Sequence, residues 1–169
     1  SPRALSAGPP IVVSEWEASP GQAPEPDLAL VQPRAVRYRR STDTLLVAGE
    51  GSDALVELDA LAADPAMAKL KSHRLAPSYD PLGGFPDRGG APNGIALSRD
   101  ERSAFVYCRT TFDLYRVDLA SGAQQGIHLA EDGLPADAAY GRRLFTSALP
   151  GAVSGGIGCA GCHPEGRDD

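Results

Sequence analysis

Large aromatic side chains and methionine are scarce in this 169-residue chain, which has one tryptophan, one methionine and 6% aromatic residues. No run of residues approaches the roughly 18 apolar positions of a membrane-spanning helix, so we expect no transmembrane segment. The first ten residues contain no apolar signal-peptide region, and we expect none in this chain. Basic residues are not in excess either. The formal net charge of −6 argues against non-specific binding to nucleic acid or to anionic membranes.

Glycine and proline are abundant instead, with 19 and 15 residues, as expected for a loop-rich β protein rather than a helical one. A hydrophobic share of 42% with 22% charged residues is typical of a globular chain. Residues 1–33 are broken by prolines, which remove hydrogen-bond donors, and we interpret them as a linker or edge segment.

A repeat begins at Pro33. Short apolar runs separated by turn residues predict two sets of four strands, at 36–39, 45–48, 54–59 and 71–76 and then at 92–97, 104–108, 114–118 and 125–130. A shift of 59 positions superimposes the first three strands of the two sets without a gap, matching Val47 with Val106 and Leu55 with Leu114. The second set lacks the insert of the first, where 62–71 predicts a short helix that packs through Met67.

Four short strands per repeat describe a propeller blade. The repeats resemble those of YVTN-type and related seven-bladed propellers over residues 33–130. Two generic antiparallel meanders are the alternative. Since propellers need about four to eight blades, we expect 34–131 to be two blades of an incomplete propeller whose other blades lie elsewhere.

The chemistry is concentrated near the C-terminus, at Cys159-Ala160-Gly161-Cys162-His163. Cys-x-x-Cys-His is the attachment signature of c-type haem, in which two thiols bind the vinyl groups of one porphyrin and the adjoining imidazole becomes an axial iron ligand. Half of a zinc site, a redox dithiol and a short disulfide are the alternatives. The chain offers no second Cys-x-x-Cys pair, and a glycine-rich segment rather than a buried strand precedes the motif.

A helix is predicted over 138–147, with Asp137 as its N-cap. The Gly141-Arg142-Arg143-Leu144-Phe145 segment within it, followed by the CxxCH motif, resembles the first haem-binding segment of the bacterial di-haem cytochrome c peroxidase and MauG-like family. The resemblance covers about 134–169. It implies one haem c, with Cys159 and Cys162 as thioether anchors and His163 as the iron ligand.

Other residues near this motif receive predictions of their own. Leu144 and Phe145 are expected to cover the apolar edge of the haem. Arg142 and Arg143 match its propionates by bidentate pairing, or else lie on a solvated helix face. The sixth iron ligand is open, because Met67 is interpreted as a packing residue and His128 as a strand residue. Cys108 is expected to be a small buried apolar side chain.

The sequence thus predicts a mainly β fold of two propeller-like four-stranded blades (incomplete propeller), followed over 132–169 by the start of a small α-helical cytochrome c domain. The expected function is electron transfer by a c-type haem protein of the bacterial periplasm or cell exterior. The blades would be a docking or substrate platform, and the partner a redox protein or small electron donor or acceptor. A haem oxidoreductase of the peroxidase type and a haem-free propeller scaffold with a CxxC metal site are the alternatives. The family's second haem motif is missing from this chain, so no peroxidatic site is carried over.

Overall fold

The computed structural model describes residues 30–75, 90–148 and 157–166, except the side chain of Glu165. Eight strands and one α-helix lie within these ranges. The strands of the first repeat are β1 (Pro33–Arg39), β2 (Thr44–Gly49), β3 (Ala54–Asp59) and β4 (Lys69–Arg74). Those of the second are β5 (Pro92–Leu97), β6 (Ser103–Cys108), β7 (Asp113–Asp118) and β8 (Gln124–His128). The helix α1 (Ala136–Thr146) follows, and three single 3-10 turns occur at Pro65–Met67, Cys159–Gly161 and Pro164–Gly166.

Each repeat forms one four-stranded antiparallel sheet, in the orders β1-β2-β3-β4 and β5-β6-β7-β8. We call these sheets blade 1 and blade 2. Their registers agree with the 59-residue shift: Val47 pairs with Val56 in blade 1, and Val106 pairs with Tyr115 in blade 2. The prediction of a mainly β chain with two four-stranded antiparallel sheets is therefore confirmed. The arrangement matches two neighbouring blades of an incomplete propeller.

The hydrophobic core lies between the two blades. Leu46 and Leu55 from one face of blade 1 are fully buried against Val106, Tyr115 and Val117 of blade 2. Removal of this apolar surface from water is the main force that holds the sheets together. A shared core explains why neither sheet has to be stable alone.

The residues that precede equivalent strands share the same backbone conformation in the two repeats. Gln32 and Ala91, which precede β1 and β5, have φ of 53° and 54°, and Asp53 and Phe112, which precede β3 and β7, have φ of 49° and 55°. Non-glycine residues seldom adopt this left-handed conformation. Its recurrence at equivalent positions shows that the local backbone geometry belongs to the repeat.

The predicted helix over 62–71 is wrong. Asp64 caps a single 3-10 turn, Pro65–Met67, by accepting a hydrogen bond from the amide of Ala66. The chain then enters β4 at Lys69, which pairs with Leu58 of β3. Strand pairing has overridden the helical propensity of this short segment. Met67 is 77% exposed, so its interpretation as a packing residue is also wrong.

The first strand of blade 1 is more exposed than its counterpart in blade 2. Val36 and Tyr38, which alternate with Arg37 and Arg39, are 62% and 49% exposed. Their counterparts in blade 2, Ile95 and Leu97, pack against the core between the blades. Neither described sheet covers Val36 and Tyr38.

The helix α1 begins two residues earlier than predicted and ends one residue earlier. Pro135 occupies the N-cap position and makes no side-chain capping bond, so the prediction of Asp137 as N-cap is wrong. Asp137 lies in the first turn, where its negative charge favours the positive end of the helix dipole. In the described part of the chain, no helix is long and apolar enough to cross a membrane.

Candidate functional site

The Cys-x-x-Cys-His segment folds as one tight helical turn. The amide of Cys162 donates to the carbonyl oxygen of Cys159 at 3.2 Å, and the amide of His163 donates to the same oxygen at 2.9 Å. The turn thereby holds two thiols three positions apart and an imidazole directly after the second. Both thiols are free rather than joined in a disulfide. Cys159 is half-buried, whereas Cys162 and His163 are exposed.

Two glycines allow this turn to lie close to its surroundings. A Cβ atom on Gly158 would lie 2.6 Å from the carbonyl oxygen of Thr146, at the end of α1. A Cβ atom on Gly161 would lie 2.6 Å from Nε2 of Gln32, which donates to the carbonyl oxygen of Gly158 at 3.0 Å. The turn is thus seated on both α1 and the entrance of blade 1. The side chain of Ala160 is buried at this contact.

The helix α1 is in turn fixed to blade 2 by Arg142. The guanidinium group donates to the carbonyl oxygen of Thr110 at 3.0 Å, forms an ion pair with Asp132 and lies over the ring of Phe112, 5.4 Å from its centroid. Its Nε atom is buried and has no hydrogen-bond partner among the described residues. Arg143, one residue further on, is buried. The alternative of a solvated helix face is therefore wrong for Arg143, whereas the Arg142 side chain keeps 31% of its surface exposed.

An open groove of about 420 Å³ lies between α1 and the C-terminal turn. Of the side chains predicted to contact a haem, Arg142 and Phe145 line this groove. Leu144, Cys159, Cys162 and His163 are not among its described lining residues. Arg109, from the turn between β6 and β7, completes one wall. The groove thus places a phenyl ring beside two guanidinium groups, which already pair with the carboxylates of Asp132 and Glu50.

A buried ion pair that the sequence analysis missed positions Arg109. Oε1 of Glu50 lies 2.6 Å from Nε of Arg109, and Oε2 lies 2.5 Å from Nε of Arg34. The Glu50 side chain has no exposed surface. Glu50 and Arg109 are separated by 59 positions, so they occupy the same place in neighbouring repeats. The sequence signal that could have revealed this ion pair is the presence of opposite charges at the same position of the two repeats.

The two residues weighed as sixth iron ligands lie elsewhere. His128 ends β8, and its Nδ1 atom is 3.1 Å from a carboxylate oxygen of the fully buried Asp113. It lines a separate cavity of about 140 Å³ together with Thr111 and Phe112. Met67 is in the 3-10 turn of blade 1. Neither residue is among the described lining of the groove.

Cys108 lies on β6 at the core and is almost fully buried, as predicted. Burial raises the pKa of its thiol well above the usual value, with smaller contributions from the carboxylates of Asp53 and Asp113. The protonated thiol is therefore unreactive at neutral pH. Within the described ranges, no cluster of three or more His, Cys, Asp or Glu side chains is arranged to hold a metal ion.

Comparisons with known proteins give two distant structural likenesses. A streptogramin B lyase structure is 17% identical over 63% of this chain and 28% of its own, with a TM-score of 0.43. A Bacteroides fragilis structure whose name describes it as a 6-phosphogluconolactonase is 19% identical to this chain. The match covers 60% of this chain and 28% of the other, with a TM-score of 0.40. The chain thus spans just over a quarter of either protein, and at these scores neither likeness carries an argument. No protein-family model and no curated protein matches the chain.

Proposed function

We propose that this chain carries one covalently attached haem c and transfers electrons outside the cytoplasm. The observation that carries the proposal is the turn from Cys159 to His163. Two free thiols and an imidazole are held within one helical turn, which is seated on α1 and on Gln32. A bound haem would supply reversible one-electron exchange at its iron. Side chains of this chain would attach the haem, ligate its iron and orient it.

Each residue of the turn has its own part. Cys159 and Cys162 would form the two thioether bonds, and the adjoining imidazole of His163 would ligate the iron. Gly158 and Gly161 keep the turn against the rest of the molecule, since either Cβ atom would meet a neighbour at 2.6 Å. A structural zinc site needs four protein ligands, one more than this turn supplies, whereas a c-type haem takes two thiols and one imidazole from it.

A groove beside α1 supports the same proposal, since Gly166, three residues after His163, is part of its lining. Phe145 offers apolar cover there, and the Arg142 guanidinium, which pairs with Asp132, belongs to the same wall. Arg109 is held in the wall by Glu50. These groups would orient a haem whose propionates accept hydrogen bonds from guanidinium groups.

The location and partner follow from this chemistry. Haem c is attached outside the bacterial cytoplasm, so the proposal assigns the protein to the periplasm or the cell exterior. Its partner would be a redox protein or a small electron donor or acceptor. The blades would form the platform on which that partner or a substrate docks.

The experiment is maturation of the chain together with the haem-attachment machinery, followed by haem staining after denaturing electrophoresis. We expect a stained band that Cys159→Ala combined with Cys162→Ala abolishes. Cys108→Ala is the matched control and keeps the stain, because Cys108 is buried in the core. An unstained wild-type band would overturn the proposal, and zinc bound by the same two sulfurs would replace it with the metal-site alternative.

Spectra separate electron transfer from haem enzymology. Electron transfer predicts a six-coordinate, low-spin iron that is inert towards peroxide. An open coordination position that reacts with peroxide would favour a peroxidase-like oxidoreductase. His163→Ala should change the spectrum of either form while leaving the thioether bonds in place.

A further inference from the structure

A cavity of about 140 Å³ lies between blade 2 and α1. The turn between β6 and β7, the end of β8 and the first turns of α1 all contribute to its lining. Leu134 is 45% exposed and the Glu131 side chain is 80% exposed, so this side of the cavity meets solvent. Because its described lining contains no residue of the Cys-x-x-Cys-His turn, the cavity is a site of its own. Its apolar walls are the side chains of Phe112, Leu134, Ala136 and Ala139.

The lining includes a buried hydroxyl group without a partner. Thr111 is 7% exposed, and its Oγ1 atom has no hydrogen-bond partner among the described residues. An unpaired buried hydroxyl group costs free energy. Ser52, which occupies the same repeat position in blade 1, accepts a hydrogen bond from the amide of Val31 at 3.3 Å. The unpaired hydroxyl is therefore a feature of this cavity and not of the repeat, and a ligand in the cavity would supply the partner.

The next residue departs from the repeat as well. In blade 1 it is Asp53, whose carboxylate accepts a hydrogen bond from the amide of Ala91 at 3.0 Å. The equivalent residue of blade 2 is Phe112, whose ring lies under the guanidinium group of Arg142 and forms part of the cavity wall. Blade 2 thus has an aromatic wall where blade 1 has a polar contact.

An imidazole of defined tautomer also lines the cavity. Nδ1 of His128 lies 3.1 Å from a carboxylate oxygen of the fully buried Asp113, so the neutral imidazole carries its proton on Nδ1. The Nε2 atom is then a hydrogen-bond acceptor. Together with Thr111, the lining offers one group that can donate to a ligand hydroxyl and one that can accept from it.

Charge and size limit what the cavity holds. The lining carries the carboxylates of Glu131 and Asp132 and the guanidinium group of Arg143, and Asp132 also pairs with Arg142. The charges of these four groups cancel, so the cavity favours neither an anion nor a cation. An apolar cavity of about 150 Å³ holds a molecule of the size of benzene. The ligand is therefore neutral and about as large as one aromatic ring.

We propose that this cavity binds a neutral aromatic alcohol of one ring, with phenol as the simplest member of the class. The ring packs against Phe112 and Leu134, in a site that is mostly apolar with a few polar groups. The hydroxyl group of the ligand accepts a hydrogen bond from Oγ1 of Thr111 and donates one to Nε2 of His128. Thr111 thereby gains the partner that it lacks among the described residues.

The test is titration of the full chain with phenol and with toluene, which has the same ring but no hydroxyl group. Binding is followed by the chemical shifts of the backbone amides. We expect saturable binding of phenol with a Kd of about 1 mM or below, with the largest shifts at Thr111, Phe112 and Ala139. The result does not depend on haem attachment, because the Cys-x-x-Cys-His turn is not part of the described lining.

Two variants test the recognition of the hydroxyl group. Thr111→Val removes the Oγ1 atom and keeps the branched shape of the side chain. His128→Asn removes the Nε2 acceptor and keeps an N–H group that can donate to Asp113. Each should lower the affinity for phenol relative to toluene about three- to tenfold. Thr42→Val is the matched control and should leave both affinities unchanged, because Thr42 is exposed in the turn between β1 and β2.

Ala139→Leu fills the cavity from α1 and should abolish the binding of both molecules. Absence of saturable phenol binding to the wild-type chain overturns the proposal. Phenol binding that survives in Ala139→Leu also overturns it, because phenol would then bind elsewhere. If toluene binds as tightly as phenol and Thr111→Val changes neither affinity, the cavity does not recognise an alcohol. Tighter binding of benzoate than of phenol would replace the neutral ligand with an anion.

Discussion

At the scale of single residues, Glu50 connects the two blades to the candidate site. Its carboxylate has no exposed surface and lies between the guanidinium groups of Arg34 and Arg109. A buried charge is tolerated only when it is paired and hydrogen-bonded. Because Arg109 also lines the groove, the same carboxylate stabilises the fold and sets one wall of the site.

Replacement of Glu50 by Gln should destabilise the protein by about 3 kcal/mol, near the lower end for breaking a buried pair, since both arginines keep partial access to water. Urea unfolding measures this change. Glu131→Gln is the control, because the Glu131 side chain is 80% exposed, and it should stay within about 0.5 kcal/mol of the wild type. Equal effects of the two substitutions would refute the role given to Glu50.

His73 adds a pH dependence to the junction between the blades. Burial lowers the pKa of this imidazole below its usual value, with Glu57 opposing the shift and Lys71 adding to it. Its Nε2 atom is buried and has no partner among the described residues. The folded state therefore binds a proton at His73 less readily than the unfolded state does.

Stability should fall as the pH drops below about 6.5, the ordinary histidine value, because the unfolded chain then binds more protons than the folded one. His73→Gln should flatten the dependence on pH in that window. The free energy of unfolding, measured between pH 7.5 and 5, checks this. His163→Gln, at an exposed position, should retain the wild-type slope, and a slope that survives in His73→Gln would exclude His73 as its source.

At the scale of elements, the contact between α1 and the Cys-x-x-Cys-His turn decides whether the site is held in place. Gly158→Ala would bring a Cβ atom to 2.6 Å from the carbonyl oxygen of Thr146, which is backbone and cannot rotate away. We expect a local loss of about 1–3 kcal/mol, seen as faster hydrogen exchange at the amides of Cys162 and His163.

Gly133→Ala provides the comparison for this substitution, since a Cβ atom there meets nothing within 4 Å. The exchange rates at Cys162 and His163 should be unchanged in that variant. Unchanged rates in Gly158→Ala as well would show that the turn does not depend on its contact with α1.

The elements also show where sequence patterns were informative. The Cys-x-x-Cys-His spacing alone selected the candidate residues, because residues this close in the sequence lie on one helical turn. It said nothing of Gln32, which lies 126 positions before Gly158 in the chain and yet donates to its carbonyl oxygen. The helix predicted over 62–71 failed for the same reason, since pairing between β4 and β3 is a tertiary interaction that local propensity does not report.

At the scale of the whole molecule, the two blades should unfold together. Leu55 lies on blade 1 but is fully buried in the core shared with blade 2. Leu55→Ala should cost about 2–5 kcal/mol and should speed exchange in β6 and β7 as much as in β2 and β3. Faster exchange confined to blade 1 would mean that the sheets are independent units.

The repeat made the strands of the fold predictable, but it did not predict which blade faces are buried. Equivalent positions such as Leu55 and Leu114 revealed the two sets of four strands from sequence alone. The same alternation could not tell that Ile95 is covered while Val36 is exposed. Burial of a blade face depends on the neighbouring sheet, which the pattern within one strand does not specify.

The central claim, covalent haem at Cys159 and Cys162, is tested most directly by the intact mass of the matured protein under denaturing conditions. The account predicts the mass of the chain plus one haem, reverting to the bare chain when both cysteines are replaced by alanine. A bare-chain mass for the wild type, matured beside a c-type cytochrome that does acquire its haem, would contradict it.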